Sequence, residues 1–224
     1  MKKLNFILLM CIPFLFQSCQ GQNLDLEKLP LPTKSDQLKT LKLSNSGAGI
    51  GTREIQYTSY IPDAEGGIAF GGLSIPKSTS SSEAIARFFS KDEGKNFQGY
   101  TLNLFTPDAM QKVLAFLLKD KSQFKLVFDD GKDSEERARV FISNKNGVTY
   151  LLLSRINGDG KKIGYIDGIA KGEEALLSSR IGGSFGYYEA YLEYKKHKTG
   201  NLSYLDFLRE TNNDLYKQSN NLKQ

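Results

Sequence analysis

The string with the most chemical content is Gly182-Gly183-Ser184-Phe185-Gly186. It matches G-x-S-x-G, the sharp turn that presents a serine nucleophile at the mouth of a helix. A serine of this kind needs a base to take its proton. The chain has one histidine, His197, thirteen residues further on and set in the Lys-rich end of the helix that the turn would open. At about 1.5 Å of rise per residue, that places it roughly 15–20 Å along the helix from its start. The usual order of serine, acid and histidine fails as well, which leaves a lysine as the formal base. The expectation is a glycine-rich turn entering a helix, with His197 as a solvated surface residue. A hydrolase acting through Ser184 stays as the alternative.

A second cluster is acidic. Asp129, Asp130, Asp133, Glu135 and Glu136 crowd the DDGKDSEE segment. Paired carboxylates can perform acid–base work or bind calcium. Here Lys132, Arg137 and Arg139 are interleaved, and the spacing is not that of an EF-hand loop. Two readings follow: a solvated loop, or an acidic face for a partner or cation that uses Asp129, Asp130 and Asp133. Gly47-Ala48-Gly49-Ile50-Gly51 precedes a strand rather than a helix and is followed by no Walker lysine, so it is no phosphate cradle.

The third cluster is aromatic. Tyr187, Tyr188, Tyr191, Tyr194 and Tyr204 are five of the 11 tyrosines. On a helix Tyr187, Tyr191 and Tyr194 share a face, and Tyr188 lies on the next. Tyrosine suits a protein interface or a sugar, because its ring is apolar and its hydroxyl polar. The same stripe can instead pack the helix on the sheet. Both readings stand at this point.

The elements that must position these groups follow from periodicity. Arg53 to Ile61 alternates as a half-exposed strand, with Ile68 to Ile75 expected as its hairpin partner. Gly71 and Gly72 in that second run predict a bulge or a close approach of another chain segment. A helix is expected from Glu83 to Lys91, with Ala84, Ile85, Phe88 and Phe89 as its stripe. Gly99 to Phe105 alternates as a strand. Thr106 then caps a helix that begins at Pro107 and buries Met110, Val113, Leu114, Leu117 and Leu118. Strands near 124, 140, 148 and 163 are joined by Asn144-Lys145-Asn146-Gly147 and Asn157-Gly158-Asp159-Gly160, which predicts an antiparallel meander. Helices are expected at 173–179, 187–198 and from Ser203 to about Lys217.

Residues 1–19, MKKLNFILLMCIPFLFQSC, begin with Lys2 and Lys3 and continue as an apolar run to Phe16. The run is shorter than the roughly 20 apolar residues that a membrane helix needs. Ser18 then precedes Cys19. This arrangement resembles a bacterial lipoprotein signal, with Phe16 where leucine is usual. The resemblance covers only the first 22 residues or so. It implies cleavage before Cys19, lipidation of Cys19 and a place in the cell envelope. Gln20 after the cysteine leans toward the outer membrane. Cys11 would leave with the leader, so the mature chain would keep one cysteine, consumed as a thioether. That excludes a disulfide framework, a redox pair and a cysteine zinc site.

Loss of Lys2 and Lys3 would take the side-chain charge from the whole chain's +5 to +3. That is too mild a balance to argue for nucleic acid. The expected organisation is a signal at 1–18, a lipidated Cys19 with a flexible tether over 19–51, one α+β domain over 52–217, and a polar tail at 218–224. Within the tether, Leu24, Leu26, Leu29 and Leu31 are able to dock on the domain. The domain is expected to hold an antiparallel sheet partly covered by helices, with a helical C-terminus. No cofactor is implied. The functional expectation is a membrane-anchored envelope lipoprotein, non-enzymatic, that binds a protein partner in an immunity, inhibitor or assembly role. A lipid-anchored hydrolase and a cell-wall glycan binder are the alternatives.

Overall fold

The computed structural model describes residues 23–51, 55–63, 67–77, 84–129, 136–180, 185–197 and 204–211, without the side chains of 48, 136, 185–190, 205, 208, 209 and 211. Its strands are β1 (Leu24–Asp25), β2 (Thr33–Lys34), β3 (Leu43–Gly51), β4 (Gln56–Pro62), β5 (Ile68–Phe70), β6 (Leu73–Ser74), β7 (Ala86–Ser90), β8 (Asn96–Phe97), β9 (Gly99–Leu104), β10 (Phe124–Asp129), β11 (Glu136–Ser143), β12 (Thr149–Ile156) and β13 (Lys162–Ile169). Its helices are α1 (Pro107–Lys119), α2 (Glu174–Arg180), α3 (Phe185–His197) and α4 (Tyr204–Thr211). The class is broadly α+β, with mostly antiparallel sheet.

The main sheet has eight strands in the order β10-β11-β12-β13-β9-β7-β4-β3. Four of them are the expected meander, joined by turns whose chemistry is local. Gly147 takes φ +71 where its predecessor Asn146 accepts the Val148 N–H at 3.1 Å. Asn157 Oδ1 accepts from Lys161 N at 2.9 Å, closing the second turn. The Thr106 cap also forms as expected, accepting from Ala109 N at 3.2 Å ahead of Pro107.

Alternation along each strand sends neighbours to opposite faces. One face, with Phe88, Tyr100, Leu102, Tyr150 and Leu152, packs under α1 and the N-terminal segment. The other, with Phe89, Val140, Leu151 and Ile169, packs under α2, α3 and α4. The start of α2 is pinned to the sheet edge by Glu173, which accepts from the Tyr57 hydroxyl at 2.7 Å and from Lys91 Nζ at 2.8 Å.

Three expectations are corrected. Residues 86–90 form strand β7 rather than a helix, and Phe88 and Phe89 are buried on opposite sides of the sheet. A helix would have put them on one side, and pairing with β4 and β9 overrides the local pattern. β4 does not form a hairpin with β5. It pairs with β3 and β7, while β5 joins a separate small sheet, parallel to β1 and antiparallel to β6. All three residues of β5 are buried, so it needs cover that β4 cannot provide. Gly71 and Gly72 form its tight turn, at φ +58 and +77, and the Phe116 ring fills the space that a Cβ on Gly71 would need.

The third correction concerns the tether. Residues 23–51 belong to the folded body. Leu26 is completely buried, Leu29, Leu38 and Leu41 are buried beside it, and 43–51 form the edge strand β3. The Asp25 carboxylate accepts the N–H groups of Gly71 and Gly72, each at 2.8 Å. Tyr100 donates to Leu26 O at 3.0 Å, and Tyr150 to Glu27 O at 3.3 Å. Of the leucines expected as optional contacts, Leu26 and Leu29 are part of the core, and Leu24 and Leu31 are partly buried against it. Among the described residues no helix is long and apolar enough to cross a membrane.

This docking carries an electrostatic penalty. Burial and the neighbouring Asp25 carboxylate push the Glu27 carboxyl above its ordinary range. The folded state therefore holds that proton more tightly than the unfolded chain, and stability falls as pH rises through the titration. Glu27→Gln is expected to raise the melting temperature at neutral pH. The advantage should fade below about pH 4, where the unfolded carboxyl is protonated too. Melts of both proteins across that range check it, and a difference that does not change with pH would refute it.

Candidate functional site

Among the described residues, the face that carries α2–α4 is not covered along its whole length. Where β7, β9, β13 and β12 run past the end of α2, a cleft of about 320 Å³ remains. The sheet register assembles its walls. Arg87 on β7 lies opposite Thr101 on β9, and Thr101 lies opposite Asp167 on β13. Asn103 faces Tyr165, and Arg155 on β12 faces Ile163. Arg180, the last residue of α2, completes the lining.

Asp167 forms the base of this arrangement and is 1% exposed. It accepts from the Thr101 hydroxyl at 2.5 Å, from Arg180 Nε at 2.7 Å and from Arg180 Nη2 at 3.4 Å. Burial pushes the Asp167 carboxyl up, and the Arg180 guanidinium and Thr101 hydroxyl pull it part of the way back. Burial also works against the Arg180 charge, but Asp167 and Tyr165 together more than offset it and keep Arg180 protonated. The guanidinium lies 4.4 Å above the Tyr165 ring centroid, a cation–π contact that fixes its plane. Asn103 Nδ2 donates to Ala84 O at 2.7 Å and ties down the rim.

Arg87 and Arg155 are exposed at the cleft, and among the described residues neither has a carboxylate within ion-pair distance. Among the described side chains, three guanidiniums are set against one carboxylate, which leaves two positive charges. The fork of a guanidinium matches the oxygens of a carboxylate or phosphate two at a time. Arginine keeps its proton, so this set binds and orients an anion rather than exchanging protons with it. The volume is at the small end for a ligand pocket, suited to one acidic side chain or a chain terminus.

The residues singled out from the sequence lie elsewhere. Asp129 is held by Arg137, Nε to Oδ1 at 2.8 Å and Nη2 to Oδ2 at 2.9 Å, and Arg139 Nε reaches Oδ2 at 3.3 Å. Its charge is neutralised on the sheet. Asp130 and Asp133 lie outside the described residues, as do Ser184 and Cys19. No group of three His, Cys, Asp or Glu side chains among the described residues is placed to hold a metal.

Tyr191 is buried. Its ring meets Tyr204 edge-on at 5.4 Å and Phe207 at 5.6 Å, with Lys195 Nζ 5.0 Å from its centroid. Tyr194 packs on Phe207 and donates to Glu210. These two join α3 to α4. Tyr187 and Tyr188 lie on α3, but their side chains are outside the description. His197 is exposed at the end of α3, 3.2 Å from Glu193.

Sequence reasoning missed Arg87, Thr101, Arg155, Asp167 and Arg180. Arg87 was hidden by the helical reading of its segment. One signal was there: Asp167 sits in Tyr165-Ile166-Asp167-Gly168-Ile169, and a lone carboxylate in an apolar strand needs a buried partner. Comparison of the chain with protein-family models, with characterised proteins and with solved structures found no match.

Proposed function

We propose that the protein is a membrane-anchored lipoprotein of the cell envelope, non-enzymatic, that holds a protein partner by an anionic group seated in the arginine cleft. The leader ahead of Cys19 supports the anchor. The observation that carries the binding role is the convergence of Arg87, Arg155 and Arg180 on one cleft, with no carboxylate within ion-pair distance of Arg87 or Arg155 among the described residues. Two guanidiniums that have no ion-pair partner among the described residues can receive a carboxylate, and the third is held in place by Asp167. A helical C-terminus belongs to the same reading.

The test uses a fluorescent peptide of alternating Glu and Gly, with a Gln and Gly peptide as control. The acidic peptide should bind, and binding should weaken with salt. A charge-assisted hydrogen bond contributes roughly 1.5–3 kcal/mol, so Arg87→Gln with Arg155→Gln should cost at least about tenfold in affinity. The melting temperature should barely move, because exposed unpaired side chains contribute within about 0.5 kcal/mol. Equal binding of both peptides, or of wild type and double variant, would remove the cleft from the function. The anchor has its own test: Cys19→Ser should move the protein from the membrane fraction to the soluble one.

A further inference from the structure

We infer that the anchor holds the folded body directly against the bilayer, and that the arginine cleft opens on the side turned away from that bilayer. This rests on the lipidation of Cys19 proposed above. The chain enters the fold at Leu24, whose N–H donates to Gly67 O at 3.0 Å and which pairs with Ile68. Asp25 is clamped at the Gly71–Gly72 turn, and Leu26 is completely buried. Only five residue steps separate Cys19 from Leu24. Fully extended, they reach about 18 Å at roughly 3.6 Å per residue.

A folded body of this length has a radius of gyration of about 17 Å, and so a diameter on the order of 40 Å. The leash is less than half that diameter. A tether of roughly 30 residues would have let the body tumble freely, whereas this one keeps the attached side at the headgroups.

The attached side is known from the sheet. Leu26 and Glu27 sit over Tyr100 and Tyr150, on the face that carries α1. Arg87, Thr101, Asn103 and Tyr165 alternate to the opposite face, as does Arg155, and Arg180 comes from the helical layer on that face. The sheet therefore stands between the attachment and the cleft. The cleft is also displaced along the strands: Tyr100 pairs with Gly168, while Asn103 pairs with Tyr165, three residues away, or about 10 Å. The anion it receives therefore belongs to a protein approaching from the compartment, rather than to a lipid phosphate of its own membrane.

Apart from Cys11 in the leader, Cys19 is the sole cysteine, so an introduced cysteine labels uniquely. Lys28, with its side chain 72% exposed, marks the docked segment, and Asp159, in the exposed turn between β12 and β13, marks the far end. The lipidated full-length protein carrying Lys28→Cys or Asp159→Cys is labelled with a donor and placed in phosphatidylcholine–phosphatidylglycerol vesicles that contain a headgroup-labelled acceptor. Transfer from position 28 should exceed that from 159 at least about twofold. Twenty Gly and Ser residues inserted between Gln20 and Gly21 should erase the difference. Equal transfer in the uninserted protein would overturn the orientation.

Arg87→Gln with Arg155→Gln should leave vesicle binding unchanged. Weaker binding would show the cleft reading lipid phosphate and would also overturn the proposal. Cys19→Ser separates the two claims: loss of vesicle binding keeps the anchor whatever the transfer shows, and retained binding removes the anchor and the orientation built on it.

Discussion

A chain begun at Thr52 is expected not to fold. That boundary is where the sequence places the start of the domain, yet the cut removes Leu26, Leu29, Leu38 and Leu41 from the core. Burying a leucine contributes about 1.5–3 kcal/mol. The four together contribute roughly 6–12 kcal/mol, which is comparable with the whole stability of a typical domain, about 5–15 kcal/mol. The cut also strips β3 from β4 and leaves an unpaired sheet edge prone to association. It deprives the buried Tyr100 hydroxyl of Leu26 O, its acceptor.

Circular dichroism and gel filtration of the Thr52 chain, beside one begun at Gln20, decide the matter. A cooperative melt of the short chain close to that of the long one would show that the segment only decorates the fold. Leu26→Ala in the full chain is the graded form of the test. It should cost about 2–5 kcal/mol in denaturant titration.

The second large effect is expected at Asp167. Asp167→Ala leaves Arg180 and the Thr101 hydroxyl facing each other without the carboxylate that both donate to. Breaking a buried pair from one side costs about 3–5 kcal/mol. For a chain of this size that is a fall of on the order of 10 °C in melting temperature. Asp167→Leu combined with Arg180→Met should recover most of it, because no charge is then left unpaired. The same double variant should bind the acidic peptide more weakly, since the cleft loses its fixed guanidinium. A single variant that melts with wild type would mean that the pair contributes nothing to the fold.

The sign of the pH dependence follows from burial. Asp167 is pushed up in the folded state, so the native protein binds its proton more tightly than the unfolded chain. Stability then declines as pH rises from the unfolded carboxyl value of about 3.9 through the raised one. Asp167→Asn should flatten that part of the profile.

The sequence alone was sufficient wherever the cause of structure is local. The Thr106 cap with Pro107, the Asn146-Gly147 and Asn157–Gly160 turns and the alternation of the meander strands are each decided by residues within a few positions of one another. Tertiary structure decided what depends on distant partners. Phe88 and Phe89 read as one helical stripe until the two sides of a sheet claim one each. Leu26 and Leu38 look like scattered apolar residues in a polar segment until Tyr100, Tyr150 and α1 close over them. Arg87, Arg155, Arg180 and Asp167 come from four separate elements, and only strand order and register bring them to one cleft. Periodicity and turn chemistry determine which way a side chain points along its own element. Which elements become neighbours is determined by the burial of the whole core, and no short window of residues contains that information.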